Sequence, residues 1–121
     1  MSGLEAALVQ ECKAVAEAMG CFLACIGQQK AKGSGTTRGM PDLVLMCAGH
    51  TELIEVKRPK TDEHPRGYLS LGQSAFIARA TEMGVTVHVI DNVDDFVRIL
   101  NSCRRSHGVW RTSEAIGRAA G

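Results

Sequence analysis

The alternation of apolar and polar positions divides the chain into seven elements. From Leu4 to Met19 the residues Leu4, Leu8, Cys12, Val15 and Met19 recur at steps of three and four, which predicts an amphipathic helix stopped at Gly20. CFLACIG, residues 21–27, is a short apolar run suited to a buried strand. QQKAKGSGTTRG follows, rich in glycine and small polar residues, and reads as a loop. Loops of that length inside compact domains are usually functional. DLVLMC (42–47) and ELIEV (52–56), separated only by AGHT, predict an antiparallel hairpin. KRPKTDEHPRGY is a charged, proline-containing loop, and Ser70 opens a second helix over about 71–83 that ends at Gly84. VTVHVI (85–90) alternates as a strand, and Asp91 or Asn92 caps a third helix carrying Val93, Phe96, Val97, Ile99 and Leu100.

The order is α-β-β-β-α-β-α, an α/β fold with a small central mixed sheet flanked by helices. The helix between the hairpin and VTVHVI makes a parallel crossover the natural connection. With 121 residues the chain supports one core and not two, so a single site has to account for its function. Residues 1–101 form that domain. Residues 102–121 read as a polar, basic tail with at most a short helix over 112–119.

Three charged residues interrupt the apolar runs of the hairpin: Asp42, Glu55 and Lys57. A turn at Gly49-His50 sets Ala48 opposite Thr51, Asp42 opposite Lys57 and Val44 opposite Glu55. Side chains alternate along a strand, so Asp42, Val44, Glu55 and Lys57 share one face, while Leu43, Leu45, Cys47, Ile54 and Val56 share the other. The parity matters. A three-residue turn shifts the register by one and separates Asp42 from Glu55. In the even register the two carboxylates are diagonal neighbours, ~7 to 8 Å apart at the backbone, a span that one hard divalent cation bridges. Mg²⁺ is the first candidate and Mn²⁺ its substitute, with the Val56 carbonyl as a further oxygen donor. Lys57 is either a plain ionic partner of Asp42 or a group that orients a nucleophile and offsets charge on a phosphate.

Composition narrows the partners. The formal net charge is +1, so polyanion binding has to come from local clusters. Lys30, Lys32 and Arg38 lie in the glycine-rich loop before the hairpin; Arg58, Lys60 and Arg66 follow it; Arg104, Arg105, Arg111 and Arg118 lie in the tail. The first two groups flank the charged face and are placed to grip a phosphate backbone from both sides. Aromatic residues make up only 4% of the chain, so base stacking would rest on few groups such as Tyr68 or Trp110. The five cysteines contain no CxxC and sit mostly in apolar runs, and no signal-peptide pattern opens the chain. Buried thiols in a reducing cytoplasm are the expectation. A zinc site from Cys21, Cys25, Cys47 and His50 matches no common spacing. No apolar run reaches the ~18 residues of a membrane span.

Pro41-Asp42 followed by Glu55-Val56-Lys57 resembles the PD-(D/E)xK nuclease motif. The longer pattern RGMPDLVLM, ELIEVKRP, LSLGQSAFIARATEMG and VTVHVID resembles the virus-type replication-repair nuclease (VRR-NUC) family in its small stand-alone phage and bacterial form. The resemblance spans about residues 4 to 100. It implies a restriction-endonuclease-like core, Asp42, Glu55 and the Val56 carbonyl as metal ligands, and Lys57 as the catalytic lysine. Gln73 matches the family's glutamine near the active site; it is also the closing residue of an S-x-x-Q capping box begun at Ser70, and the two roles are compatible. The family's acid on the first helix falls on Glu5, with Glu11 the weaker match. About one extra helical turn separates Glu5 from Gly20, moving it ~6 Å along the axis while keeping its face, so an exposed helix acid is the competing reading.

The activity so implied is a Mg²⁺-dependent DNA endonuclease acting in replication, repair or recombination. It would be selective for Holliday junctions or other branched DNA, work as a homodimer, and need no small-molecule cofactor. The competing reading is a catalytically silent DNA-binding or dimerisation module that keeps the nuclease fold. A sequence-specific restriction enzyme fits poorly, because the chain leaves little room for a separate recognition element.

Overall fold

The computed structural model describes residues 3–26 and 37–105. Helix α1, Gly3–Ala18, turns its Leu8, Val9, Cys12 and Ala16 stripe inward. Strands β1 (Phe22–Cys25), β2 (Leu43–Cys47) and β3 (His50–Val56) follow, then α2 (Leu71–Glu82), β4 (Val87–Ile90) and a helix α3 over 93–105. The sheet order is β1-β2-β3-β4. The first two pairings are antiparallel, and β3 with β4 is parallel, joined by the α2 crossover. The mixed α/β order expected from the alternation is therefore the one observed. Helix α3 runs past the expected boundary at residue 101, and its Cys103 belongs to the core.

One face of the sheet, carrying Leu43, Leu45, Cys47, Ile54, Val56 and Ile90, packs with the inward residues of α1 and with Phe96, Leu100 and Cys103 of α3. Phe96 is fully buried, the kind of anchor whose truncation costs about 3–5 kcal/mol. Asn92 is the cap of α3: its side-chain oxygen accepts from the Asp95 N–H at 2.8 Å. This face is not wholly apolar, contrary to expectation. Glu52 pairs with Leu45 across the hairpin and so shares the face, where it bonds His88 Nε2 at 2.9 Å and accepts from the Cys103 thiol at 3.7 Å. Burial, with Glu52 next, pushes the Cys103 thiol above its ordinary range.

The hairpin turn differs from the expected one. It is the two-residue turn Ala48-Gly49, both at positive φ (55° and 83°), the handedness that matches strand twist. Cys47 then pairs with His50 and Leu43 with Ile54, a register two residues away from the expected one. The parity survives, because the shift is even.

A second correction concerns the thiols. Phe22 pairs with Met46, which brings Cys21 beside Cys47 with Cα atoms 4.7 Å apart, and the two sulfurs are bonded as a disulfide. Two of the five cysteines on which the reducing-compartment expectation rested are therefore not free, and Cys25 is exposed. Among the described residues no three His, Cys, Asp or Glu side chains could hold a metal ion, so the Cys21, Cys25, Cys47 and His50 zinc set does not form. None of the described helices is long and apolar enough to cross a membrane.

Candidate active site

Continuing the observed register by one residue sets Asp42 directly opposite Glu55, not opposite Lys57. The two side chains share a face of the sheet, and the Asp42 carboxylate adjoins that of Glu55. Asp42 Oδ2 is held by the Val56 N–H at 3.1 Å, which ties the end of β2 to the end of β3.

Glu55 is 2% exposed and Lys57 9%, both unusual for ionisable groups. Their partners explain how they stay there. Lys57 Nζ donates to Gln73 Oε1 at 2.7 Å and lies 3.4 Å from Glu55 Oε1, while Gln73 Nε2 donates to the same Glu55 oxygen at 2.5 Å. Lys57 therefore pairs with Glu55 and Gln73, and the Asp42 ion pair, one of the two readings open for it, does not form. Gln73 also closes the capping box read for it. Its Oε1 also accepts from the Ser70 N–H at 2.9 Å, and its own N–H donates to Ser70 Oγ at 3.1 Å, completing the capping box. One side chain thus starts α2 and locks the acid to the lysine.

Burial, with the adjoining Asp42 carboxylate as the next cause, pushes the Glu55 carboxyl up to about 7; Lys57 pulls the other way without prevailing. Glu55 Oε2 is buried with no hydrogen-bond partner. An orphaned carboxylate oxygen beside a second carboxylate is a poor arrangement for stability alone and a suitable one for a hard divalent cation.

Two glycines set this geometry and carry no signal in the charge pattern. Gly39, at φ 81°, lies so close to α2 that a Cβ there would stand 2.1 Å from the Gly72 carbonyl oxygen and 2.8 Å from the Gln73 nitrogen. The chain just before Asp42 is therefore seated against the turn that carries Gln73. The available hint was positional: a glycine two residues before Pro41, and another immediately before Gln73.

Other expected site residues are not gathered here. Glu5 is half-buried on the stripe that continues through Leu8, Val9, Cys12 and Ala16, but no third acid joins Asp42 and Glu55 among the described residues; Glu11 is exposed. Arg58 and Arg66 act as loop braces. Arg58 Nη2 donates to the Pro65 carbonyl at 2.9 Å, and Arg66 reaches the Val89 carbonyl at 3.3 Å and Asp91 at 3.4 Å. Arg38 and Lys60 are exposed. Lys30, Lys32, Trp110 and most of the tail lie outside the described residues.

A four-stranded mixed sheet flanked by helices thus presents two acids and a lysine at the ends of β2 and β3 away from the hairpin turn. A solved chain titled "VRR_NUC domain" superposes on this one with a TM-score of 0.60 at 20% sequence identity, over 83% of this chain and 97% of that chain. The fold is thus that of a VRR-NUC domain. No family profile and no curated protein sequence matches the chain.

Proposed function

We propose that the protein is a Mg²⁺-dependent DNA endonuclease, with Mn²⁺ as a working substitute. The observation that carries this reading is the Asp42 carboxylate adjoining Glu55, with Glu55 Oε2 buried and without a hydrogen-bond donor and Lys57 held 3.4 Å from the other Glu55 oxygen. Asp42, Glu55 and the Val56 carbonyl would hold the ion. When bound, the ion supplies Lewis-acid polarisation of the phosphate and of an attacking water. Lys57 offsets the negative charge that grows on the phosphate in the transition state and orients the water. Gln73 positions both Lys57 and Glu55. Arg38 and Lys60, with Lys30 and Lys32, hold the flanking phosphates, and Arg58 and Arg66 shape the loop that presents Lys60.

The finer reading is a homodimer that cuts branched DNA, Holliday junctions included, in replication, repair or recombination. A gel assay on linear duplex, single-stranded, flap and four-way-junction DNA tests it, with and without Mg²⁺. Cutting is expected only with the ion, with preference for branched substrates, and is lost in Asp42→Ala. Equal cutting by Asp42→Ala would sink the mechanism. Retained DNA binding with no cutting under any divalent ion would leave a silent binding module.

A further inference from the structure

Helix α2 contains no buried residue although it carries Leu71, Phe76 and Ile77. The residues Gly72, Phe76, Arg79 and Met83 recur at helical spacing and so lie on one stripe. That stripe floors an open groove of about 470 Å³ whose lining is almost wholly apolar and whose wall is completed by Thr37 and Arg38. Gly72 joins the groove to Gln73, so its end adjoins the candidate active site. Around the same helix Tyr68 and Leu71 are 81% and 91% exposed. Single exposed apolar side chains need no explanation, but a groove of them beside a phosphate-cutting site does.

Paired duplex offers such a groove little, because its bases are stacked and its outer surface is charged. A nucleotide that has left the stack presents an apolar face together with its phosphate. The groove presents the complement: the Phe76 ring among aliphatic groups for the base, and the guanidinium groups of Arg38 and Arg79 for the phosphates. Among the described residues Arg79 pairs with Glu82 at 3.5 Å, an exposed pair that is cheap to break. Resting on the nuclease reading above, we propose that this groove receives an unpaired nucleobase next to the scissile phosphate, and that selectivity for branched DNA originates there.

The test is equilibrium binding in EDTA, where no cutting occurs, of a forked DNA carrying 2-aminopurine at the unpaired position beside the branch. A fully paired duplex of the same length is the comparison. Wild type should bind the fork more tightly and change the 2-aminopurine fluorescence. Phe76→Leu should weaken fork binding about 5- to 100-fold with duplex binding unchanged. Ala75→Trp, at an exposed position on the groove, should do the same by filling it without touching the core. Asp42→Ala should keep the fork preference, so loss of cutting and loss of base binding are separable. An unchanged fork-to-duplex ratio in Ala75→Trp, or unchanged 2-aminopurine fluorescence in wild type, would overturn the assignment. Loss of self-association in Ala75→Trp with fork binding intact would also overturn it, giving the groove to a second copy of the chain.

Discussion

Glu55 is where burial and chemistry meet most directly. Its carboxyl ordinarily titrates near 4.5 and in the fold is pushed up to about 7. Between those values the folded chain binds more protons than the unfolded one, so stability falls as pH rises through that window and this contribution is flat above it. Thermal unfolding in EDTA should therefore show a midpoint that declines from about pH 5 to 7, and Glu55→Gln should flatten the decline. Divalent-ion binding has the opposite slope, because the ion takes the ionised form. Calorimetry should find proton release below pH 7 and affinity that levels above it. A midpoint that rises with pH in EDTA, and rises equally in Glu55→Gln, would remove the assignment. Asp42, Glu55 and Lys57 were legible as a same-face set because alternation is a local property of a strand. The partner of Lys57 was not, since it depends on Gln73 arriving from α2.

The hairpin and α2 illustrate how much a turn and a close contact decide. Positive φ at both Ala48 and Gly49 selects the two-residue turn, which moves the pairing by two and brings Asp42 across from Glu55. Gly39 and Gly72 then seat the segment before Asp42 against the start of α2. Gly39→Ala combines a positive φ with a Cβ 2.1 Å from a backbone oxygen, so it should cost more than Gly84→Ala, which has a similar φ and nothing within 4 Å. The expected loss for Gly84→Ala is about 1–2 kcal/mol with activity retained. Gly39→Ala should lose more stability in urea denaturation and cut DNA more slowly, because Gln73 is displaced. Equal losses in the two variants would show that the contact with Gly72 does not matter. The helices, their caps and the hairpin itself were readable from spacing and capping residues, but a close backbone approach leaves no periodic trace.

Across the whole fold the two ends of the hairpin have separate tasks. The Cys21–Cys47 disulfide sits at the turn end, and Asp42, five residues before Cys47 and just ahead of β2, lies about 16 Å away. Reduction should lower stability by about 3 kcal/mol on the chain-entropy argument for a sequence separation of 26, while DNA cutting at moderate temperature persists. Urea denaturation with and without dithiothreitol checks this; an unchanged midpoint would mean that the bond adds nothing. The basic residues show the same division between what is local and what is not. Their clustering around the hairpin was visible in the chain, yet Arg58 and Arg66 turn out to brace a loop, because carbonyls from Pro65 and Val89 reach them first. The amino-acid sequence by itself determined the seven elements, the mixed sheet and the gathering of Asp42, Glu55 and Lys57 on one face, since each follows from periodicities and caps a few residues long. The tertiary structure alone decided the pairing register, the burial of Glu55 and Lys57, the cysteine pair and the open groove on α2, because each depends on which surfaces distant segments bring together.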